Sequence, residues 1–351
     1  MKDLRLLVRP NIQALCAMPA TERQRETAKN RLDANESPFN SPYNRYSDHL
    51  QKEICKKTGL LRGITPECIF PANGCDELID MTFRIFCTPQ EDNAVGITPS
   101  YPMFSRRAAV NGIEYRTVPL TPDYDFTAES VLTQTDTHTK IIFLCSPNNP
   151  TGNLLSRNEI IRTAEAFEGI VVVDESYIDF SRTESLLKEL PKRPNLIVLH
   201  SFSAAWAAAG IRLGILYAIP EIVRYFHTVT LPFHIGQPTC EHALDLIRRR
   251  FDIDRWVKHL LEERDKVIAA FKLLPICEKI YRTHSNFFLV KVKNAKTVYE
   301  YLLKNGIAVQ NCDEMALCQG CLRITIGLPQ ENNALLGALR KFSEKKSGNR
   351  P

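Results

Sequence analysis

No stretch of this chain is apolar for long enough to span a bilayer, and Met1-Lys2-Asp3-Leu4-Arg5 leads into no apolar signal core. Neither a membrane protein nor an exported one is expected, so the chain reads as cytoplasmic. Its eleven cysteines are then free thiols in a reducing compartment. Cys318-Gln319-Gly320-Cys321, with Cys312 nearby, is the spacing that invites a metal. Neither a second C-x-x-C nor a histidine pair completes four ligands, and no metal site is expected. A large excess of one charge is also missing: the net charge is +5 and the basic residues are scattered. Arg248-Arg249-Arg250 reads as a solvated helix face, which leaves no nucleic-acid surface. There is no internal repeat and no low-complexity linker. What is present is ordinary for a globular protein: 351 residues, 44% hydrophobic and 24% charged, enough for a large core and two domains.

Three apolar runs organise the middle of the chain. Lys140–Cys145, Ile170–Val173 and Leu196–Leu199 have almost no polar alternation, the pattern of strands covered on both faces. Each delivers polar residues at its end: Ser146-Pro147-Asn148-Asn149-Pro150-Thr151-Gly152, then Asp174-Glu175-Ser176-Tyr177, then Ser201-Phe202-Ser203. Asn93–Ile97 is a further short strand, and helical segments fall at 103–111 and 156–167. After Ser203 come a small-residue helical segment and another strand, Leu213–Ala218. These elements predict an α/β fold with a doubly wound, mostly parallel sheet.

From about Glu241 the texture changes. A charged helical region broken near Phe251, strands at Asn286–Val292 and Cys321–Gly327, and helices around Ala295–Asn305 and Asn332–Phe342 predict a smaller α+β domain. The expected divisions are 1–45 for an N-terminal arm and part of the small domain, 46–240 for the large domain, 241–345 for the small domain and 346–351 for a tail. Residues 1 to about 30 read as a polar arm or frayed helix, and 343–351 as disordered.

Strand ends on one edge of such a sheet are where ligands bind. Asn149, Asp174, Tyr177 and Ser203 are expected to converge there. Singly, each has a plain structural reading: an Asn turn, a cap, a half-buried tyrosine, a turn hydroxyl. Asn73-Gly74-Cys75-Asp76-Glu77 predicts a helix start whose N–H groups suit a phosphate. Tyr101, in Thr98-Pro99-Ser100-Tyr101-Pro102, is a loop aromatic in reach of the same edge.

Together these segments carry a resemblance. LDANESP (32–38), NRYSD (44–48), NGCDE (73–77), TPSYPMF (98–104), CSPNNPTGN (145–153), VVVDESYIDF (171–180), SFSAAWAAAGIRLG (201–214) and CLRITIG (321–327) resemble the class I/II, fold-type I, pyridoxal-phosphate-dependent aminotransferases. The likeness is strongest to their histidinol-phosphate aminotransferase branch. It implies the PLP-transferase fold, a homodimer with sites at its interface and pyridoxal 5'-phosphate (PLP) as cofactor. It also implies amino transfer between an amino-acid-like substrate, such as histidinol phosphate, and a 2-oxo acid. Position by position, it puts the phosphate nest on Cys75, Asp76, Ser201, Ser203 and Arg212, with Tyr46 lent by the partner subunit. Asp174 falls at the ring nitrogen, Asn149 and Tyr177 at the 3'-oxygen, and Tyr101 over the ring. Asn35, Gln310 and Arg323 fall on substrate-binding positions, Arg323 on the one that holds a carboxylate.

The departures are as informative. The Schiff-base lysine of the family falls on Ala204, eight positions before Arg212. Ala207 stands where glycine is common and Gln310 where an arginine helps bind the substrate phosphate. Pro19-Ala20 replaces Pro-Tyr, Ser37 replaces an asparagine, and Ser100-Tyr101-Pro102 replaces T-Y-G. A lysine exchanged in an otherwise normal enzyme accounts for Ala204 alone. A diverged, catalytically silent paralogue with a binding or regulatory role accounts for all of them. Lys192 lies on the wrong side of the preceding strand to substitute, and His200 reads as closing that strand rather than moving protons. The expectation is noncovalent cofactor binding with slow turnover or none.

Overall fold

A computed structural model describes residues 4–16 and 30–347. Seven strands form the main sheet: β1 (Ile69–Ala72), β2 (Asn93–Thr98), β3 (Glu114–Pro119), β4 (Thr139–Cys145), β5 (Ile170–Asp174), β6 (Leu196–Ser201) and β7 (Gly214–Tyr217). Their spatial order is β1-β7-β6-β5-β4-β2-β3. The run β3-β2-β4-β5-β6 is parallel, whereas β7 is antiparallel to both β6 and β1. The fold is α/β with a mostly parallel sheet, as the sequence predicts.

The unbroken apolar runs follow from burial on both sides. Ile142, Leu144, Val171, Val173 and Val198 enter one hydrophobic cluster, and their neighbours Ile141, Phe143, Val172, Ile197 and Leu199 enter the cluster on the opposite face. Period-2 alternation of side-chain direction therefore carries no polar alternation, because neither face meets water.

A second sheet is wholly antiparallel: β8 (Cys277–Ile280), β9 (Phe287–Val292), β10 (Gln310–Asn311) and β11 (Cys321–Thr325), in the order β10-β11-β9-β8. Helices Arg250–Lys272, Ala295–Lys304 and Pro329–Ser347 build its core with Phe271, Phe288, Val290, Val298, Leu322 and Leu339. The charged helical region is two helices, Gln237–Arg248 and Arg250–Lys272, broken at Arg249, two residues before Phe251.

Residues 4–16 and 343–347 are more ordered than their composition predicts. Leu4, Val8 and Ile12 are buried in the large-sheet cluster with Phe70 and Phe226, and the helix Pro10–Cys16 packs on the helix Pro220–Val229. Three apolar side chains at a spacing of four are enough to seat this segment. At the other end the last helix continues to Ser347, with Phe342 and Ser343 buried, so 343–347 is not a disordered tail. Pro19 and Ala20 lie outside the described residues. The small-residue segment after Ser203 forms only a single 3-10 turn, Ala209–Ile211, rather than a helix.

Candidate active site

Parallel register places the polar strand ends side by side. Cys145, which ends β4, is level with Asp174, which ends β5, and Asp174 is level with Leu199 of β6. Ser201, which ends β6, is level with Gly214 of β7, and Gly214 is level with Ala72 of β1. A cavity of about 240 Å³ opens here, lined by Cys75, Asp76, Tyr101, Cys145, Asn149, Asp174, Ser176, Tyr177, Ser201, Ser203, Ala204 and Arg212. Nine of these twelve are cofactor-binding positions expected from the sequence, and a tenth is the lysine position.

One end of the cavity is set by two glycines. A Cβ on Gly214 would lie 2.6 Å from the Cys75 nitrogen, so only glycine lets the helix Cys75–Phe86 begin this close to the sheet. Gly74, at φ 83°, carries no side-chain cap, and a Cβ there would meet the Arg212 guanidinium at 2.8 Å. The first N–H groups of a twelve-residue helix thus lie open beneath an arginine, beside the Ser201 and Ser203 hydroxyls. Ser201 Oγ also accepts from the Ser203 N–H at 3.1 Å, which sets the turn. The Asp76 carboxylate is engaged otherwise: it accepts from the Tyr101 hydroxyl at 2.7 Å and faces Arg212 at 3.6 Å. The Asp76 side chain therefore holds two neighbours in place.

Another part of the lining is built by two tied loops. Ser100 Oγ donates to Asn148 Oδ1 at 2.9 Å, and Asn148 Nδ2 donates to the Pro99 carbonyl at 2.9 Å, which ties the loops after β2 and β4 together. They carry Tyr101 and Asn149. Arg323 Nη1 donates to Asn149 Oδ1 at 2.6 Å. A guanidinium has only donors, so this contact fixes the amide orientation and leaves Asn149 Nδ2 to donate elsewhere. The Arg323 guanidinium lies 4.9 Å above the Phe287 ring, which meets Tyr177 edge-on at 5.0 Å.

Burial governs the electrostatics. Asp174 is 3% exposed, and desolvation lifts its carboxyl to about 6, against two hydrogen bonds from Ser176 that pull it down. Burial also drives the Tyr177 hydroxyl and the Cys75 and Cys145 thiols well above their ordinary values, and Tyr101 likewise, with Asp76 adding to it. Among the lining residues these groups are neutral near pH 7. Ala204 adds a methyl group and no amine.

Not every expected residue joins this cavity. Tyr46 is exposed and stacks on Phe233 at 4.5 Å, outside its own chain's pocket. Asn35 is exposed on the N-terminal segment at φ 54° and does not line the cavity. Gln310 does not line it either, although β-sheet register sets it directly opposite Arg323. His200 is buried with Nε2 3.0 Å from Glu175 Oε2, a strand-closing contact away from the lining set. Sequence reasoning missed Ser176 and Cys145. Both had a local signal: Cys145 ends the strand that pairs with Asp174, and a serine two residues after an aspartate suits an Asx-type turn.

The sequence family described as Aminotransferase class I and II matches residues 15–339. The chain belongs to this family. The chain is similar to the histidinol-phosphate aminotransferases of Bacteroides thetaiotaomicron, 45% identical across 97% of this chain and 99% of that one, and of Parabacteroides distasonis, 46% identical across 97% and 99%. Among solved structures, the histidinol-phosphate aminotransferase of Clostridium acetobutylicum superposes with a TM-score of 0.80 at 20% identity, covering 86% of this chain and 92% of that one. The Sinorhizobium meliloti histidinol-phosphate aminotransferase in complex with pyridoxal-5'-phosphate gives 0.78 at 21% identity, covering 96% and 97%. For this aminotransferase the twelve-residue cavity is the corresponding active-site candidate, and Ala204 is its departure.

Proposed function

We propose that this aminotransferase binds pyridoxal 5'-phosphate in the strand-end cavity without a covalent bond. Its inherited reaction is amino transfer between histidinol phosphate, or a close relative, and a 2-oxo acid, slowed by Ala204. The observation that carries the reading is the fit of the donor set. An open helix start under Arg212 suits a phosphate, a buried carboxylate suits a protonated ring nitrogen, and an amide donor with a tyrosine suits a ring oxygen.

When bound, the cofactor supplies a carbonyl that takes up the amino group and a pyridinium ring that accepts electrons from the substrate Cα. Asp174 would hold the proton on the ring nitrogen. Asn149 Nδ2 and the Tyr177 hydroxyl would donate to the 3'-oxygen, and Tyr101 would cover the ring. Cys75 and Asp76 N–H, Ser201, Ser203 and Arg212 would hold the phosphate, with Tyr46 added from a second copy in a homodimer. Arg323 would hold the substrate's anionic group, with Asn35 and Gln310 on the outer substrate side. A large domain carrying the cofactor and a smaller one carrying Arg323 suit this division of labour.

The missing part is a proton carrier at the substrate Cα. The lining hydroxyls and thiols stay neutral, Asp174 would be committed to the ring, and the Asp76 carboxylate is engaged by Tyr101 and Arg212. General acid–base assistance of this kind contributes about 10²–10⁴-fold. The deciding experiment compares the chain as it stands with Ala204→Lys, using PLP absorbance, histidinol phosphate and a 2-oxo acid. Saturable PLP binding by the parent, slow conversion to the amine form, and a large gain on Ala204→Lys are expected. A parent that already turns over at the rate of Ala204→Lys contradicts the reading. If the lysine variant binds PLP and gains nothing, the pocket serves binding alone.

A further inference from the structure

Asp174 is held by a neighbour that the proposed chemistry does not otherwise use. Ser176 Oγ donates to Asp174 Oδ1 at 2.5 Å, and the Ser176 N–H donates to the same oxygen at 2.9 Å. Among the described residues Oδ2 has no such partner. The Cys75 thiol stands 3.4 Å from Ser176 Oγ and 3.4 Å from the His200 carbonyl. Since the serine proton is spent on Asp174, its oxygen is the acceptor toward Cys75, and the thiol's one proton is divided between two oxygens.

We propose that Ser176 is a positioning residue: by gripping Oδ1 with two donors it presents Oδ2 as the oxygen that meets a protonated ring nitrogen. This rests on the PLP reading of the cavity. The surroundings explain why such a grip is needed. The groups that bear on Asp174 are Asp76 and Cys75 from the helix Cys75–Phe86, Cys145 from β4, Tyr101 from the loop after β2, and Glu175 and Tyr177 on its own segment. None of these is a cation, and Arg212 reaches the carboxylate's vicinity only through Asp76. A buried carboxylate with no cationic partner depends on hydrogen-bond donors to remain ionised, and Ser176 supplies both of those recorded for it.

The test uses the full chain without cofactor first. The Asp174 carboxyl is titrated by ¹³C NMR in the parent, Ser176→Ala, Ser176→Gly and Ser176→Thr. Loss of a hydrogen bond to a charged group should raise the Asp174 midpoint by about one pH unit in the alanine and glycine variants. The threonine variant, which keeps the hydroxyl, should return it to the parent value. With PLP added at pH 7.5, the dissociation constant should rise roughly tenfold in Ser176→Ala and stay within about twofold in Ser176→Thr. An unchanged Asp174 midpoint in both alanine and glycine variants overturns the proposal. A parent that binds no PLP overturns the functional reading instead, and the midpoints still decide the role of Ser176.

Discussion

At the edge formed by β4, β5, β6 and the start of the helix Cys75–Phe86, nine of the ten residues expected at the cofactor meet in one cavity, Tyr46 being the exception. On the substrate side, Asn35 is exposed, Gln310 faces Arg323 from a neighbouring strand, and Arg323 reaches the cavity only through Asn149. The two sides are assembled differently. Asn149, Asp174, Tyr177, Ser201 and Ser203 sit at the end of a buried strand or in the turn after it, and strand pairing brings them level with their neighbours. The substrate side draws on the N-terminal segment, a second sheet and, by proposal, another copy of the chain. Loop path, rather than strand pairing, sets its geometry, and substitutions such as Gln310 disturb nothing in the core.

That contrast can be broken or sharpened by substitution. The largest effect is expected from Ala204→Lys, a gain of about 10²–10⁴-fold in amino transfer measured by single-turnover absorbance. A gain of that size places the defect on the cofactor side; its absence moves the defect to the substrate side. Next is Asp174→Asn, which should weaken PLP binding roughly tenfold to hundredfold by absorbance titration.

The same substitution tests the burial cost. A carboxyl raised to about 6 in the folded chain binds a proton that the unfolded chain has already lost, so stability falls as pH rises from about 4 to 6. Asp174→Asn should therefore stabilise the cofactor-free protein by about 1–3 kcal/mol at pH 7, and by little near pH 4, in denaturant melts. A residue that destabilises the empty fold yet improves ligand binding is the expected mark of a functional site.

On the substrate side, Gln310→Arg should tighten binding of a phosphorylated substrate roughly tenfold with no change in PLP affinity, read by competition titration. The smallest effect belongs to Ala207, which lies in the same turn as Ala204 and adopts φ 52°. Left-handed backbone costs a non-glycine residue about 1–2 kcal/mol, and the unfolded-state entropy of glycine returns roughly 0.5–1 of it. Ala207→Gly should raise stability by about 0.5 kcal/mol, visible as a small rise in Tm without change in PLP affinity.

The strands were legible because burial on both faces removes polar alternation, as Ile141–Cys145 and Val171–Val173 show. Ser176 was visible in the chain but carried no weight until its hydroxyl was seen 2.5 Å from Asp174. The N-terminal segment was misread because Leu4, Val8 and Ile12 form too short a pattern to stand above a polar background, and only the groove beside the helix Pro220–Val229 gives them somewhere to be buried.

By itself the chain's order of residues determined the α/β class, the strand ends that bear Asn149, Asp174 and Ser201, and the alanine at the lysine position. All of these follow from local patterns whose outcome does not depend on distant segments. Tertiary structure alone decided that Asp76 serves Tyr101 and Arg212 through its side chain and that Arg323 orients Asn149. Those are contacts across loops and domains, where hydrogen-bond geometry is set by packing that no local pattern encodes.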